Sequence, residues 1–217
     1  MLQILNRIKM KRIILLTLAI SSIGLTKAQN SKAVFETHEI VWYGLDFTKA
    51  KFVGQFDQGM GAMPATGHDM RTKWIPQWNA LIAKEKTNFP LNNAFDVDNI
   101  AYDMGPVNTI NSKIDASACM VFNPGTIDRK EIDGMVAKYT AGEKKDGIAC
   151  VFIVENFDKG AENASIYVTF FDIASKKVLL CQKEEGKPLG VGMRNYWAGS
   201  VKSIIKQIQK DWRSWKG

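Results

Sequence analysis

The strongest candidate for binding chemistry is a glycine turn near the carboxyl terminus. Gly190-Val191-Gly192 follows a strand-like run and opens a helix-like run, and Arg194 lies two residues further on. Backbone N–H groups at the start of a helix, together with a guanidinium, attract carboxylate or phosphate groups. Asn195 replaces the third glycine of a dinucleotide fingerprint, so no cofactor is predicted. Gly190, Gly192 and Arg194 are therefore predicted ligand-binding residues, and a turn that needs glycine only for its backbone angles is the alternative.

Asp46 and His68 are the other two predicted ligand-binding residues. Asp46 lies near the end of the first strand-like run, and His68 precedes an acid at the start of a helix-like run. With Arg194 they are the first polar groups to consider for an exported hydrolase or other enzyme whose site is built from loops. No catalytic residue is assigned, because the chain has no Gly-x-Ser-x-Gly elbow and its one Ser-x-x-Lys match, at Ser203, lies inside a helix-like run.

No metal site is predicted either. The chain has two histidines, which are too few by themselves for a zinc site. Four oxygen-bearing side chains lie close together, and calcium prefers such ligands, but their spacing lacks the glycine and the terminal glutamate of an EF-hand loop. A solvated acidic loop is the favoured interpretation of this group, which consists of Asp96, Asp98, Asn99 and Asp103.

The distribution of charge argues against a nucleic-acid partner. The chain has 29 basic and 22 acidic residues, which gives a formal charge of +7. Five of the bases and none of the acids lie in residues 1–28, so the other 24 bases and 22 acids leave a charge of +2. Binding to a polyanion requires a clustered basic face, and the near-neutral remainder does not predict one.

Residues 1–28 are predicted to be a secretory signal peptide. Lys11 and Arg12 precede an uncharged, mostly apolar run over residues 13–25, and Ala28 provides a small residue for cleavage. The run is shorter than the ~20 apolar residues that a membrane span requires. We therefore expect the protein in the periplasm or outside the cell, with residues 29–217 as a single α/β domain.

Hydrophobic periodicity predicts the elements that would position these residues. Strands are predicted over residues 38–47, 118–122, 148–154, 165–171 and 178–182, and helices over residues 69–86, 128–139 and 195–215. The strand, helix and strand that follow residue 118 predict a βαβ unit with parallel neighbours, and the last three strands predict an antiparallel meander. The predicted fold class is α/β, with a mixed sheet of about five strands and a C-terminal amphipathic helix.

The cysteines are interpreted as small buried apolar groups, because each lies in a strand-like run. Export would allow a disulfide. Parallel neighbours in the βαβ unit would bring Cys119 and Cys150 together, which makes this pair the better candidate. The meander would separate Cys150 from Cys181 by a whole strand, beyond the ~7 Å that a disulfide spans.

The C-terminal helix-like run has two interpretations. A basic stripe of Lys202, Lys206, Lys210 and Arg213 lies opposite its apolar stripe. Such a helix covers a sheet with its apolar face or lies on an anionic membrane. The covering role is favoured, and membrane attachment would require Trp212 and Trp215 to be exposed.

Four short segments resemble a family of secreted proteins of unknown function from Gram-negative bacteria. They are VWYGLDF at residues 41–47, FFD at 170–172, KVLL at 177–180 and GVGMRNYW at 190–197. The order of elements is also loosely similar to envelope accessory domains of the curli-secretion and TolB amino-terminal types. The resemblance implies an exported α/β protein and transfers no catalytic residue.

Three functions remain open from the sequence. The leading hypothesis is a non-enzymatic binding or assembly module of the cell envelope, whose partner is an envelope protein or a small ligand. The alternatives are an exported hydrolase or other enzyme with a loop-built site, and a peripheral membrane protein attached through the C-terminal helix. Asp46, His68 and Arg194 in one deep pocket would favour the enzyme, whereas scattered positions would favour the binding module.

Overall fold

A seven-stranded mixed sheet organises residues 31–216, which are the residues that the computed structural model describes. The predicted signal peptide lies outside them. The strands are β1 (Glu39–Asp46), β2 (Lys51–Val53), β3 (Asn99–Tyr102), β4 (Met120–Val121), β5 (Ile148–Asp158), β6 (Asn163–Asp172) and β7 (Val178–Gly186). The helices are α1 (residues 31–36), α2 (Gly67–Asp69), α3 (Ile75–Lys84), α4 (Leu91–Phe95), α5 (Gly105–Asn111), α6 (Arg129–Val136) and α7 (Gly192–Asp211). A π-helical turn (Met70–Trp74) joins α2 to α3, and a 3₁₀ turn (Ser214–Lys216) follows α7.

β5 is the central strand of the sheet and pairs with three other strands. One edge of β5 pairs in parallel with β1 along its first half and with β2 along its second half. β3 extends the sheet beyond β1, and β4 extends it beyond β2, again in parallel. The other edge of β5 pairs with β6 in antiparallel fashion, and β6 pairs with β7. The predicted antiparallel meander is therefore confirmed.

Each face of the sheet is covered by helices, which gives two apolar cores. α3, α4 and α7 cover the first face, where Trp42, Phe152 and Phe170 are buried. α5 and α6 cover the second face, where Val151 and Phe171 are buried. Burial on both faces explains why β5 reads as a continuous apolar run, since its alternate side chains enter different cores.

Two helices show how local sequence set their starts. Asp128 and Glu131 form the expected capping box at the start of α6, with each side chain accepting a hydrogen bond from the other residue's backbone N–H. Pro76 lies in the first turn of α3 and has no N–H to donate. Just before it, the N–H of Ile75 donates to the carbonyl oxygen of Met70, which produces the π-helical turn.

The expectation of about five strands was wrong, because β2 and β3 are too short to show a pattern. The predicted βαβ unit also pairs differently, since β4 lies next to β2 and not next to β5. Cys119 and Cys150 are therefore not on neighbouring strands, and all three cysteines are free. Cys119 and Cys150 are buried, as expected of small apolar groups, whereas Cys181 is half-buried.

The end of α7 packs against the first core. Trp212 is 6% exposed, and its ring lies 4.8 Å from that of Phe35 and 5.5 Å from that of Phe95, centroid to centroid. Trp215 is half-buried against Trp212. Membrane attachment through this helix would require both tryptophans to be exposed, and neither is. Among residues 31–216, no helix combines the length and the apolar character that crossing a bilayer requires.

Candidate functional site: a crevice at the carboxyl ends of β1 and β3

β1 and β3 are parallel neighbours whose outgoing connections lie on opposite faces of the sheet. From β1 the chain continues through β2 to α3 on the first face, whereas β3 leads directly to α5 on the second face. In open α/β sheets a crevice forms outside the carboxyl ends of strands that diverge in this way, and ligands bind there. The topology therefore places a candidate site between α3 and α5.

A crevice of about 310 Å³ occupies this position. Its apolar walls come from α3 and from the segment that joins β3 to α5, and its polar groups are three amides, one hydroxyl and one guanidinium. The lining residues are Arg71, Ile75, Pro76, Asn79, Ala80, Met104, Asn108, Asn111 and Ser112. Largely apolar walls with a few convergent polar groups are typical of small-molecule sites.

Two buried asparagines form the floor of the crevice and complete the edge of β1. β3 ends at Tyr102, which pairs with Trp42, so the last residues of β1 have no strand beside them on this edge. Asn79 accepts a hydrogen bond from the N–H of Leu45 at 2.7 Å and donates one to its carbonyl oxygen at 3.0 Å. Asn111 donates to the same carbonyl oxygen at 2.8 Å and accepts from the N–H of Phe47 at 2.9 Å. The two amides replace the hydrogen bonds of the missing strand.

Both amides keep part of their hydrogen-bonding capacity. A carboxamide has two N–H donors and two acceptor lone pairs. Within the described part of the chain, Asn79 and Asn111 each use one donor and one lone pair, although their residues are only 2% and 4% exposed. Each of these two lining residues therefore has one amide N–H and one lone pair without a partner among the described residues.

Gly44 lies beneath the crevice and needs to be glycine. Its φ is +102°, and a Cβ atom there would lie 2.6 Å from Oδ1 of Asn79. We expect Gly44→Ala to lower the free energy of unfolding by about 2 kcal/mol, through backbone strain and displacement of the amide. Gly134→Ala is the matched control, because Gly134 lies inside α6 and the added Cβ would enter open space. Urea unfolding should show Gly134→Ala to be neutral or stabilising; an equal loss in both variants would contradict the steric argument.

Arg71 is the charged residue of the crevice. It belongs to the π-helical turn, and such insertions occur frequently at functional sites. Its Nη1 donates to the carbonyl oxygen of Ile114 at 3.2 Å. The ion pairs found among residues 31–216 do not include Arg71, so no carboxylate there neutralises it within 4.0 Å. The guanidinium therefore keeps most of its donors for a ligand.

Asp46 lies at the end of β1 but is not a lining residue of the crevice. Its carboxylate is fully buried and accepts hydrogen bonds from the backbone and hydroxyl of Thr48 and, at 2.5 Å, from the hydroxyl of Tyr139. Burial raises the pKa of Asp46 above its ordinary value of 3.8, and the hydrogen bonds from Thr48 and Tyr139 oppose that rise. The carboxylate closes the turn between β1 and β2 and has no access to a ligand.

The raised pKa of Asp46 predicts a pH effect on stability. A carboxyl group with a raised folded-state pKa contributes stability that is present below pH 3.8 and is lost as pH rises through the folded-state value. Asp46→Asn removes this titration. We expect its stability relative to the wild type to increase between about pH 4 and pH 7, as measured by urea unfolding. A constant difference across this range would show that Asp46 does not titrate abnormally.

The other predicted site residues lie apart from Asp46 and from the crevice. His68, on α2, is exposed. Gly190, Gly192 and Arg194 are exposed around the start of α7, and Gly192 lines a separate cleft of about 190 Å³ with aromatic walls. Gly190, Gly192 and Arg194 lie close to one another only because they are close in the sequence.

The residues of the proposed acidic loop also diverge. Asp98 pairs with His38 at 2.9 Å, and Asp103 accepts from the backbone N–H of Glu143 at 2.6 Å. Among the described residues, no group of three His, Cys, Asp or Glu side chains is placed to hold a metal ion.

A third cleft, of about 230 Å³, lies beside the turn between β1 and β2 and contains Glu155. The side chain of Glu155 is 3% exposed and pairs with Lys183 at 2.5 Å. It also accepts from the backbone N–H of Ile127 at 2.9 Å and from the hydroxyl of Ser165 at 2.9 Å. Burial raises the pKa of Glu155, but the hydrogen bonds, chiefly from Lys183, outweigh it and hold the pKa below 4.5. These contacts occupy both carboxylate oxygens, so Glu155 fastens the segment before α6 to the sheet.

Sequence reasoning missed the crevice residues Arg71, Asn79, Met104 and Asn111. A signal for one of them existed, because Asn79 lies four residues after Ile75 and three before Ile82, on the apolar side of α3. A polar residue at such a position needs a buried partner. Its partner, Leu45, is on a different element, and periodicity alone does not identify it.

The chain matches no family model, no curated protein and no solved structure. The resemblance to a secreted family of Gram-negative bacteria stays a prediction.

Proposed function

We propose that this protein is an exported binding module of the cell envelope, which holds a small ligand in the crevice between α3 and α5. The observation that carries the proposal is the composition of this crevice. It lies where α/β sheets bind ligands, and Arg71 is the one lining residue with a charged side chain. Catalysis by acid–base or nucleophilic steps uses carboxylates, imidazoles, amines, thiols or activated hydroxyls. The lining set offers one hydroxyl, that of Ser112, which donates to the carbonyl oxygen of Thr109.

The competing hydrolase hypothesis gains no support from these positions. It requires Asp46, His68 and Arg194 in one pocket, whereas Asp46 is buried and the other two are exposed on different helices. A binding role is compatible with this scatter, because it needs a shaped crevice and fixed polar groups rather than a proton relay.

Export to the envelope, as a single α/β domain over residues 29–217, is the second part of the proposal. It rests on the basic and apolar pattern of residues 1–28. Intact-mass analysis of the protein from its producing cell tests this part. A chain that begins near Gln29 supports export, and a full-length cytosolic chain overturns it.

The crevice itself is tested by blocking it. Ala80 is an exposed lining residue on α3, so Ala80→Trp fills the crevice without disturbing a core. Gln77→Trp is the matched control, because it adds the same ring to the same helix at an exposed position outside the lining. We expect small molecules from an envelope extract to shift the NMR signal of the Met104 methyl group in the wild type and in Gln77→Trp, and not in Ala80→Trp.

The proposed function fails if no extract fraction shifts the Met104 methyl signal of the wild type. It also fails if Ala80→Trp responds as strongly as the wild type, since binding would then occur elsewhere. Either result is independent of whether the chain is exported.

A further inference from the structure

We propose that the crevice recognises the carboxylate end of an acylated apolar amino acid, either as a free N-acyl amino acid or as the last residue of a short peptide. This inference rests on the proposed function and names the chemical class of its ligand. Three features of the crevice correspond to three groups of that ligand: a carboxylate, an amide and a small apolar side chain.

Arg71 corresponds to the carboxylate. A guanidinium presents its N–H donors in a planar fork that binds a carboxylate through two parallel hydrogen bonds. Arg71 uses one donor on the carbonyl oxygen of Ile114 and has no ion pair among the described residues. The charge of Arg71 makes a small contribution to lowering the pKa of Asp115, an exposed residue outside the lining set, whereas the hydrogen bonds from Ser117 contribute most.

The charge of the crevice favours a single negative charge. Arg71 is the one cation of the lining set, and the other polar groups are neutral amides and a hydroxyl. A phosphate dianion would leave one charge uncompensated in a largely apolar crevice, which is costly. A carboxylate is matched by one guanidinium.

Asn79 and Asn111 correspond to the amide. Each leaves one N–H and one lone pair without a partner among the described residues, at the buried floor of the crevice. Buried polar groups that stay unpaired are costly, so a ligand that supplies both a donor and an acceptor gains affinity. An amide group has an N–H and a carbonyl oxygen, and therefore satisfies both requirements.

Ile75, Pro76 and Met104 correspond to the apolar side chain. They form walls beside the amides, and the unbranched methionine adapts to irregular shapes. At ~30 Å³ per water-sized group, the crevice of about 310 Å³ holds about ten such groups. That space fits one acylated residue and excludes a folded partner.

The experiment compares probes that differ in one group each. N-acetyl-L-leucine carries the carboxylate, the amide and the apolar side chain, N-acetyl-L-leucinamide lacks the charge, and L-leucine lacks the acyl amide. Glycyl-glycyl-L-leucine presents the same end as part of a peptide. Titrations follow the Met104 methyl signal and the side-chain amide signals of Asn79 and Asn111 in the wild-type protein.

Two variants distinguish the effect of the Arg71 guanidinium from the effect of a nearby positive charge in general. Arg71→Gln removes the guanidinium, and Lys113→Gln removes an exposed cation beside the crevice that is outside its lining. We expect N-acetyl-L-leucine to bind at least about tenfold more tightly than N-acetyl-L-leucinamide in the wild type and in Lys113→Gln. Arg71→Gln should abolish this preference while its binding of the uncharged amide is unchanged.

The results distinguish this inference from the proposed function. Equal affinity of the acid and the amide for the wild-type crevice overturns the inference and leaves the binding function standing. If the crevice signals respond to extract molecules but to none of the four probes, the inference is likewise overturned and the binding function is retained. A preference for the tripeptide over N-acetyl-L-leucine assigns the ligand to peptide ends, and the reverse preference assigns it to free acyl amino acids.

Discussion

Replacing both Asn79 and Asn111 with alanine is expected to lower the free energy of unfolding by about 5 kcal/mol, close to the total stability of many domains of this size. Each single variant leaves one buried backbone N–H without a partner, that of Leu45 near the end of β1 or that of Phe47 just after it. An orphaned buried group of this kind costs about 1 to 3 kcal/mol.

The two asparagines should also be coupled. Both donate to the carbonyl oxygen of Leu45, so either single variant leaves this acceptor satisfied by the other amide. The double variant removes both donors at once. Its loss should therefore exceed the sum of the single losses by about 1 kcal/mol, which a double-mutant cycle measures.

Asn108→Ala is the matched control for these variants. Asn108 lines the same crevice and is the same residue type, but it is exposed. We expect its effect to stay within about 0.5 kcal/mol. Unfolding in urea, followed by circular dichroism, provides the free energies of unfolding of the wild type and these four variants. Losses below that control value for Asn79→Ala and Asn111→Ala would show that water satisfies the end of β1.

Glu155→Gln is expected to have the second large effect, a loss of about 2 to 3 kcal/mol near neutral pH. The variant removes the charge of a side chain that is 3% exposed, while Lys183 stays in place. Removing one member of a fully buried pair costs more, but Lys183 is 41% exposed, so water compensates part of its charge.

The effect of Glu155→Gln should depend on pH in a defined direction. The folded-state pKa of Glu155 lies below 4.5, because the hydrogen bonds from Lys183, Ile127 and Ser165 outweigh burial. A lowered pKa contributes stability that is present above pH 4.5 and is lost as pH falls through the folded-state value. The difference between the wild type and the variant should therefore be largest above pH 4.5 and shrink in more acidic solution.

Glu36→Gln provides the control for a charge removed from the surface. Glu36 pairs with Lys32, and both side chains are more than half exposed. Its removal should be nearly neutral, because exposed ion pairs contribute little. A pH-independent loss for Glu155→Gln would mean that the lost acceptor oxygen, and not the lost negative charge, weakens the attachment of the segment before α6.

Asp46 and Asn79 illustrate how far the candidate site follows from the sequence. Asp46 was recognisable as a polar residue at the end of a strand, and the structure does place it there, but as a buried carboxylate that closes a turn. Asn79 lies in a helix whose sequence pattern is dominated by tryptophans, and it was not selected as a site residue. The sequence therefore pointed to the end of β1 beside which the crevice lies, but not to the side chains that line the crevice, since burial of a polar group depends on its partners.

The short strands show, in the same way, which parts of the fold could not be predicted from the sequence. β1, β5 and β6 are long enough for periodicity to be read, and the capping box of α6 is a local pattern. β2 and β4 contain three and two residues, so their pairing depends on where β5 lies. The parallel order of β4, β2 and β5 follows from that placement.

The amino-acid sequence by itself determined the elements with sustained periodicity, the α/β class and the capped start of α6, because these depend on residues within a few positions of each other. Only the tertiary structure decided which strands are neighbours and which polar groups meet. Asn79 and Asn111 lie 34 and 66 residues from Leu45, yet they complete its hydrogen bonds. Contacts over such separations arise from packing of the sheet between its helices, and they created the crevice that local patterns do not reveal.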